Sequence, residues 1–170
     1  MSAVALVSIP VGVVVERRKA TSPWLDFVWQ PVAVLPGVPA AESWTQLGGD
    51  GDSATFFAGT ATIALYRTET ANYIDNLATG APQLWVVLRP TDGQPAYEVQ
   101  AVTADPAEGE AFTEAGNDLV ETVPMPADIR AAVEAFVAEH HVERPFVKRQ
   151  RDSVGVGRPA GARKPEEGKR

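Results

Sequence analysis

Two histidines are the whole imidazole inventory of this chain, and they are adjacent: His140 and His141. Neighbours on a helix point about 100° apart, so this pair cannot close on one metal ion as an i, i+4 pair does. Glu139 and Glu143 flank them. The simpler reading is a pair of side chains near a helix C-terminus, where the helix dipole favours positive charge. There is no cysteine, which removes disulfides, thiolate metal sites and a thiol nucleophile. None of the serines (Ser2, Ser8, Ser22, Ser43, Ser53, Ser153) lies in a Gly-x-Ser-x-Gly setting, so no nucleophile elbow is written in the chain. Asp50-Gly51-Asp52 lacks the ligand order and distal Glu of a calcium loop and reads as a hairpin turn. The acids Glu108, Glu110, Glu114, Asp118 and Glu121 read as a solvated face, because acid–base work needs two carboxylates in one partly desolvated cleft. No cofactor is expected.

Recognition chemistry is better represented. Trp24, Phe27 and Trp29 fall within six residues, just after Arg17, Arg18 and Lys19. Trp and Arg dominate interface hot spots, so this set is either a corner of the core or a recognition face. A second patch, Arg67, Glu69, Asn72, Tyr73 and Asn76, lies at a strand–helix junction. Local capping explains much of it, and a binding edge is the alternative. A third begins at Phe146 and runs through Lys148, Arg149 and Arg151. An apolar anchor beside cations suits a segment that orders on a partner.

The elements that must position these residues follow from periodicity. Residues 9–19, with four valines in five positions, read as a strand buried on both faces. A linker with Trp24, Phe27 and Trp29 is expected next, then a strand at 32–35 opened by Pro31. Residues 38–52, with Pro39, Gly48, Gly49 and Gly51, read as loop. Strands at 55–58 and 60–67 precede a short helix over 68–79, stopped by Gly80. Residues 84–89 (LWVVLR) are the best central strand, with 97–103 as hairpin partner. Asp105-Pro106-Ala107-Glu108 predicts a helix start with Asp105 as cap, Pro106 first and Glu108 at the capping-box position; Gly116 ends it. An edge strand at 119–123 follows. Pro126 opens the clearest helix, with an apolar stripe at Ile129, Ala132, Val133, Phe136, Val137 and His140, and Arg130 and Glu134 paired i, i+4. The fold class is α+β: a curved, mostly antiparallel sheet of six or seven short strands with the C-terminal amphipathic helix packed on it.

Charge divides the chain. Residues 148–170 hold eight Lys/Arg against three acids, a net +5, while residues 1–147 hold seven against nineteen, a net −12. Residues 1–147 are expected to form one globular domain and 148–170 a basic, disordered tail. The acidic body disfavours nucleic acid and anionic membrane over most of its surface. Residues 2–15 are mostly apolar but lack a preceding cation, are interrupted by Pro10 and Gly12, and are followed by Glu16-Arg17-Arg18-Lys19. They fit neither a secretory signal nor a membrane span, and a cytoplasmic protein is expected.

Several segments resemble an uncharacterised bacterial family, domain of unknown function 3305. They are residues 9–18 (IPVGVVVERR), Pro23-Trp24 with Trp29, residues 31–37 (PVAVLPG), Leu65-Tyr66-Arg67 through Asn76-Leu77, residues 84–90 (LWVVLRP) and residues 141–146 (HVERPF). The resemblance covers about residues 9–152 and carries no catalytic residues. That family is associated with genes for molybdenum-dependent formate dehydrogenase and its maturation. The resemblance therefore implies a non-enzymatic accessory protein whose partner is a formate dehydrogenase subunit or maturation factor. Two other readings stand beside it. One is a nucleic-acid-associated regulator using the basic tail. The other is a small enzyme of unrecognised type drawing on Arg67, Glu69, Tyr73 and Asn76.

Overall fold

The computed structural model describes residues 4–142. One of its two longest strands, β1 (Val7–Lys19), is the spine of a four-stranded antiparallel sheet. It pairs on one side with β2 (Phe27–Pro36) and on the other with β4 (Ser53–Leu65), whose far edge carries β3 (Thr45–Gly49). Central placement explains the valine run. Val11, Val13 and Val15 point into the shared core, while Val14 is covered on the opposite face. A second antiparallel sheet has β5 (Gln83–Pro90) between β6 (Tyr97–Thr103) and β7 (Leu119–Pro124). The single curved sheet expected from the sequence is thus two sheets, adjoining where β4 passes β6 and β2 passes β7.

Three differences in the first sheet share a cause, which is irregular register. Its second strand starts at Phe27, so Phe27 and Trp29 are strand residues, not linker. Pro31 sits inside it, opposite Val15, where the register shifts and Val32 is skipped. An edge strand with a bulge tolerates a missing N–H. The strands expected at 55–58 and 60–67 are one strand, β4, bent at a bulge where Val13 pairs with Gly59 and Val14 with Phe57. Gly59 has φ +145° there, a geometry that favours glycine. Part of the expected loop 38–52 is β3, joined to β4 by the Asp50 turn. The Asp50 carboxylate accepts from the amides of Asp52 (2.9 Å) and Ser53 (3.2 Å), which holds its pKa below the usual carboxylate value.

A 3-10 turn (Arg67–Glu69) leads into α1 (Thr70–Leu77). The next helix, α2 (Pro106–Ala115), is capped by Asp105, whose carboxylate accepts from the amide of Ala107 at 2.8 Å, and ends at Gly116 with φ +93°. The capping box is not reciprocal. The Asp105 amide donates to Thr103 Oγ1, and Glu108 accepts the Thr103 hydroxyl instead. Gly109 lies flush on the Trp85 indole, where a Cβ would overlap the ring. The last helix, α3 (Ala127–His140), packs on α1 and sends Ile129, Val133 and Phe136 into the common core. Its Arg130–Glu134 pair forms at 3.2 Å. No helix among the described residues is long and apolar enough to cross a membrane.

Candidate functional site

The strands β1 and β2 pair out to Lys19 opposite Phe27, and residues 20–26 close the hairpin. Two cross-strand pairs inward, Arg17 lies opposite Trp29. It continues the face that carries Val11, Val13 and Val15, so the core stripe of β1 ends in a cation. Phe56 reaches the same face opposite Val15. Trp44, just before β3, and Tyr97, at the start of β6, complete an aromatic cluster. Trp29 is its hub, with ring centroids 5.7 Å from Trp44, 6.1 Å from Phe56, 6.2 Å from Tyr97 and 6.5 Å from Phe27.

The Arg17 guanidinium is caged by this cluster, 4.4 Å from the Phe27 centroid, 5.2 Å from Phe56 and 5.8 Å from Trp29. Partly desolvated cation–π contacts are worth roughly 0.5–2 kcal/mol. Its Nε is buried and has no hydrogen-bond partner among the described residues. An orphaned buried donor costs about 1–3 kcal/mol. The two effects are of similar size, so the cage fixes the side chain in place while leaving its hydrogen-bonding demand open. Trp44 adds a second irregularity. It holds φ at 68°, a left-handed geometry rare for a bulky residue. Its amide bonds the Phe57 carbonyl, and its ring packs edge-on to Trp29.

Beyond the cage the hairpin turns outward. Trp24 is 88% exposed and Leu25 58% exposed. Trp24 is therefore neither core nor part of the aromatic cluster. Arg18 points to the other face and pairs with Glu16 at 3.1 Å.

The patch at the strand–helix junction is separated by burial. Tyr73 is 1% exposed, and its hydroxyl accepts the Tyr66 amide at 2.9 Å. Burial pushes its pKa up to about 12, against the pull of that hydrogen bond. Asn76 is buried and uses its whole amide on backbone groups of Gln83 and Ala104. Glu69 accepts from Thr68 (2.8 Å) and Asn72 (3.2 Å). Only Arg67 turns to solvent, lining a groove of about 620 Å³ with Thr70, His140 and His141. His141 Nδ1 bonds Thr70 Oγ1 at 2.9 Å, and His140 lies against the Phe136 ring. Tyr73 and Asn76 are buried and brace the fold, and of the four suspects for an enzyme only Arg67 lines this groove. Among the described residues no three His, Asp or Glu side chains form a group that could hold a metal ion. Phe146, Lys148, Arg149 and Arg151 lie outside the described residues.

Sequence reasoning found Arg17, Phe27 and Trp29 but missed Trp44, Phe56 and Tyr97. These three join only through cross-strand register and sheet packing. The signal for Trp44 was its place in a Gly-rich stretch that is in fact the entry to a strand.

A family model described as "Protein of unknown function (DUF3305)" matches residues 10–150. No curated protein and no solved structure matches the chain.

Proposed function

This chain belongs to the DUF3305 family of proteins of unknown function, and we propose for it a non-enzymatic accessory role, exercised by binding another protein at the β1–β2 hairpin end. The observation that carries this reading is the exposed Trp24-Leu25 pair, set beyond a strand pair that holds Arg17 among aromatic rings. An exposed Trp at the tip of a hairpin contributes nothing to folding where it stands, and Trp, Tyr and Arg are the residues that concentrate binding energy. The partner class follows from the family resemblance: a subunit or maturation factor of a cytoplasmic molybdenum-dependent formate dehydrogenase. The basic residues 148–170 would steer the encounter.

The test is capture of formate dehydrogenase components from native cells by full-length protein, by a Trp24→Asp/Leu25→Asp variant and by a chain cut after Val147. Loss of capture in the hairpin variant is expected, together with lowered formate dehydrogenase activity in cells that lack the gene. Undiminished activity and normal cofactor content in those cells would end the formate dehydrogenase reading.

A further inference from the structure

We infer that the caged guanidinium of Arg17 is a receptor for a carboxylate that a partner protein presents beside an apolar side chain. This rests on the protein-binding reading above and names the chemistry of the partner.

Three observations converge. First, the six cations of the described residues are Arg17, Arg18, Lys19, Arg67, Arg89 and Arg130. Arg18, Arg89 and Arg130 each have an acid of their own, namely Glu16, Asp118 and Glu134. Arg17, the most enclosed by rings, forms no ion pair among the described residues. Second, Arg17 Nε is buried with no hydrogen-bond partner among the described residues, and neither Nη nitrogen shares that condition. The two Nη nitrogens are the outer end of a fork already oriented by Phe27, Phe56 and Trp29. A planar carboxylate fits that fork with two parallel, charge-assisted bonds. Rotamer entropy is largely lost before the ligand arrives, which favours binding. Third, half of the described cations lie in one hairpin on a body of net charge −12. Glu16 and Asp26 lie in the same hairpin and the Lys19 amide bonds the Asp52 carbonyl, so an acidic segment is repelled less at this end than over the rest of the body. Exposed Trp24 and Leu25 beyond the cage supply apolar contact for the residue beside the acid. A polyanion such as a nucleic acid or an anionic bilayer would meet the acidic body over most of its approach. A single carboxylate on a protein segment does not.

The test is to pan the full chain against random dodecapeptides displayed on phage, then measure the best synthetic peptide against wild type, Arg17→Lys and Arg17→Gln. Selected peptides should carry Asp or Glu next to an aliphatic or aromatic residue. Either Arg17 variant, or an acid-to-amide change in the peptide, should weaken binding about tenfold or more. The two changes together should cost little more than one, as expected for a shared contact. In wild type the Arg17 Nε–H resonance should shift on peptide addition, a readout that does not depend on how stably the variants fold. Selection of peptides without acids, or acidic peptides that bind both variants undiminished, would overturn the assignment. So would Trp24-dependent binding to phosphatidylglycerol vesicles with no peptide selected, or an Nε–H shift with inorganic phosphate and none with the peptide. If the hairpin variant loses capture in cells while Arg17→Lys retains it, the protein-binding reading stands and the Arg17 receptor falls. If neither variant changes capture, both fall.

Discussion

Asn76 grips Gln83 with both ends of its amide: Nδ2 donates to the Gln83 carbonyl at 2.8 Å and Oδ1 accepts the Gln83 amide at 3.0 Å. Nδ2 also donates to the Ala104 carbonyl at 3.0 Å. One buried side chain thus ties α1 to the first residue of β5 and to the entry of α2. Asn76→Ala should cost about 2–4 kcal/mol, three hydrogen bonds near 1 kcal/mol each plus stranded backbone groups. Asn76→Asp should be worse, because it turns a carboxylate onto two carbonyls. Urea unfolding checks both, and a variant that unfolds like wild type would return Asn76 to the list of binding residues.

Tyr73 makes folding depend on pH at the alkaline end. Its folded pKa is raised to about 12 by burial, against about 10 for an exposed tyrosine. The folded state therefore holds its proton where the unfolded state releases it. This contribution is fully present below about pH 10 and is lost as pH rises through 12. Stability measured between pH 9 and 12 should fall, and Tyr73→Phe should flatten that slope while costing about 1–2 kcal/mol at neutral pH for the orphaned Tyr66 amide.

The contrast between these two residues and Arg17 shows what pattern can and cannot reveal. Elements marked by local chemistry could be read from the chain: the Asp105 cap, the Gly116 stop, the 97–103 strand and the stripe of α3. What escaped was whatever depends on partners far along the chain. Gly59 looked like a break because glycines usually are, yet it serves a bulge opposite Val13. For Asn76 and Tyr73 the sequence left local capping and a binding edge side by side, and both residues are buried, Asn76 with its amide paired to backbone groups and Tyr73 accepting the Tyr66 amide. Arg17 and Trp29 looked like neighbours in a cluster, but nothing local said that Phe56 would close over the cation or that Trp44 would pack on Trp29 and Phe56.

Gly109→Ala should be disproportionately harmful for one methyl group. The added carbon would overlap the Trp85 ring, so α2 must lift from β5. Overpacking of this kind costs about 1–3 kcal/mol, against the small gain usual for Gly→Ala inside a helix. A lowered thermal midpoint with altered Trp85 fluorescence is expected, and a raised midpoint would refute the packing.

Trp44 supplies a test with reversed sign. Glycine normally ranks below alanine in folded chains, but at φ 68° it relieves a strain of about 1–2 kcal/mol. Trp44→Gly should therefore be more stable than Trp44→Ala by about 1 kcal/mol, and both should fall below wild type for want of the ring against Trp29 and Phe56. Equal stability of the two variants would show that the backbone there is not held left-handed.

Trp24→Ala should leave the unfolding midpoint within about 0.5 kcal/mol of wild type, as befits a surface position. Acrylamide should quench Trp24 freely in the isolated protein and less on partner binding, with a blue-shifted emission. A substantial loss of stability would mean that the ring is packed, not free.

The register of β1 against its two neighbours has an evolutionary corollary. Binding surfaces made of loops can lengthen and shorten, because nothing downstream depends on their count. Here Arg17 faces Trp29 and Phe56 only because every residue from Val15 onward is in phase with its neighbours. One residue inserted or deleted between Val15 and Arg17 would rotate the guanidinium to the opposite side of the sheet. Descendants of this sequence can therefore drift by point substitution around the cage, but changes of length must be confined to the hairpin tip.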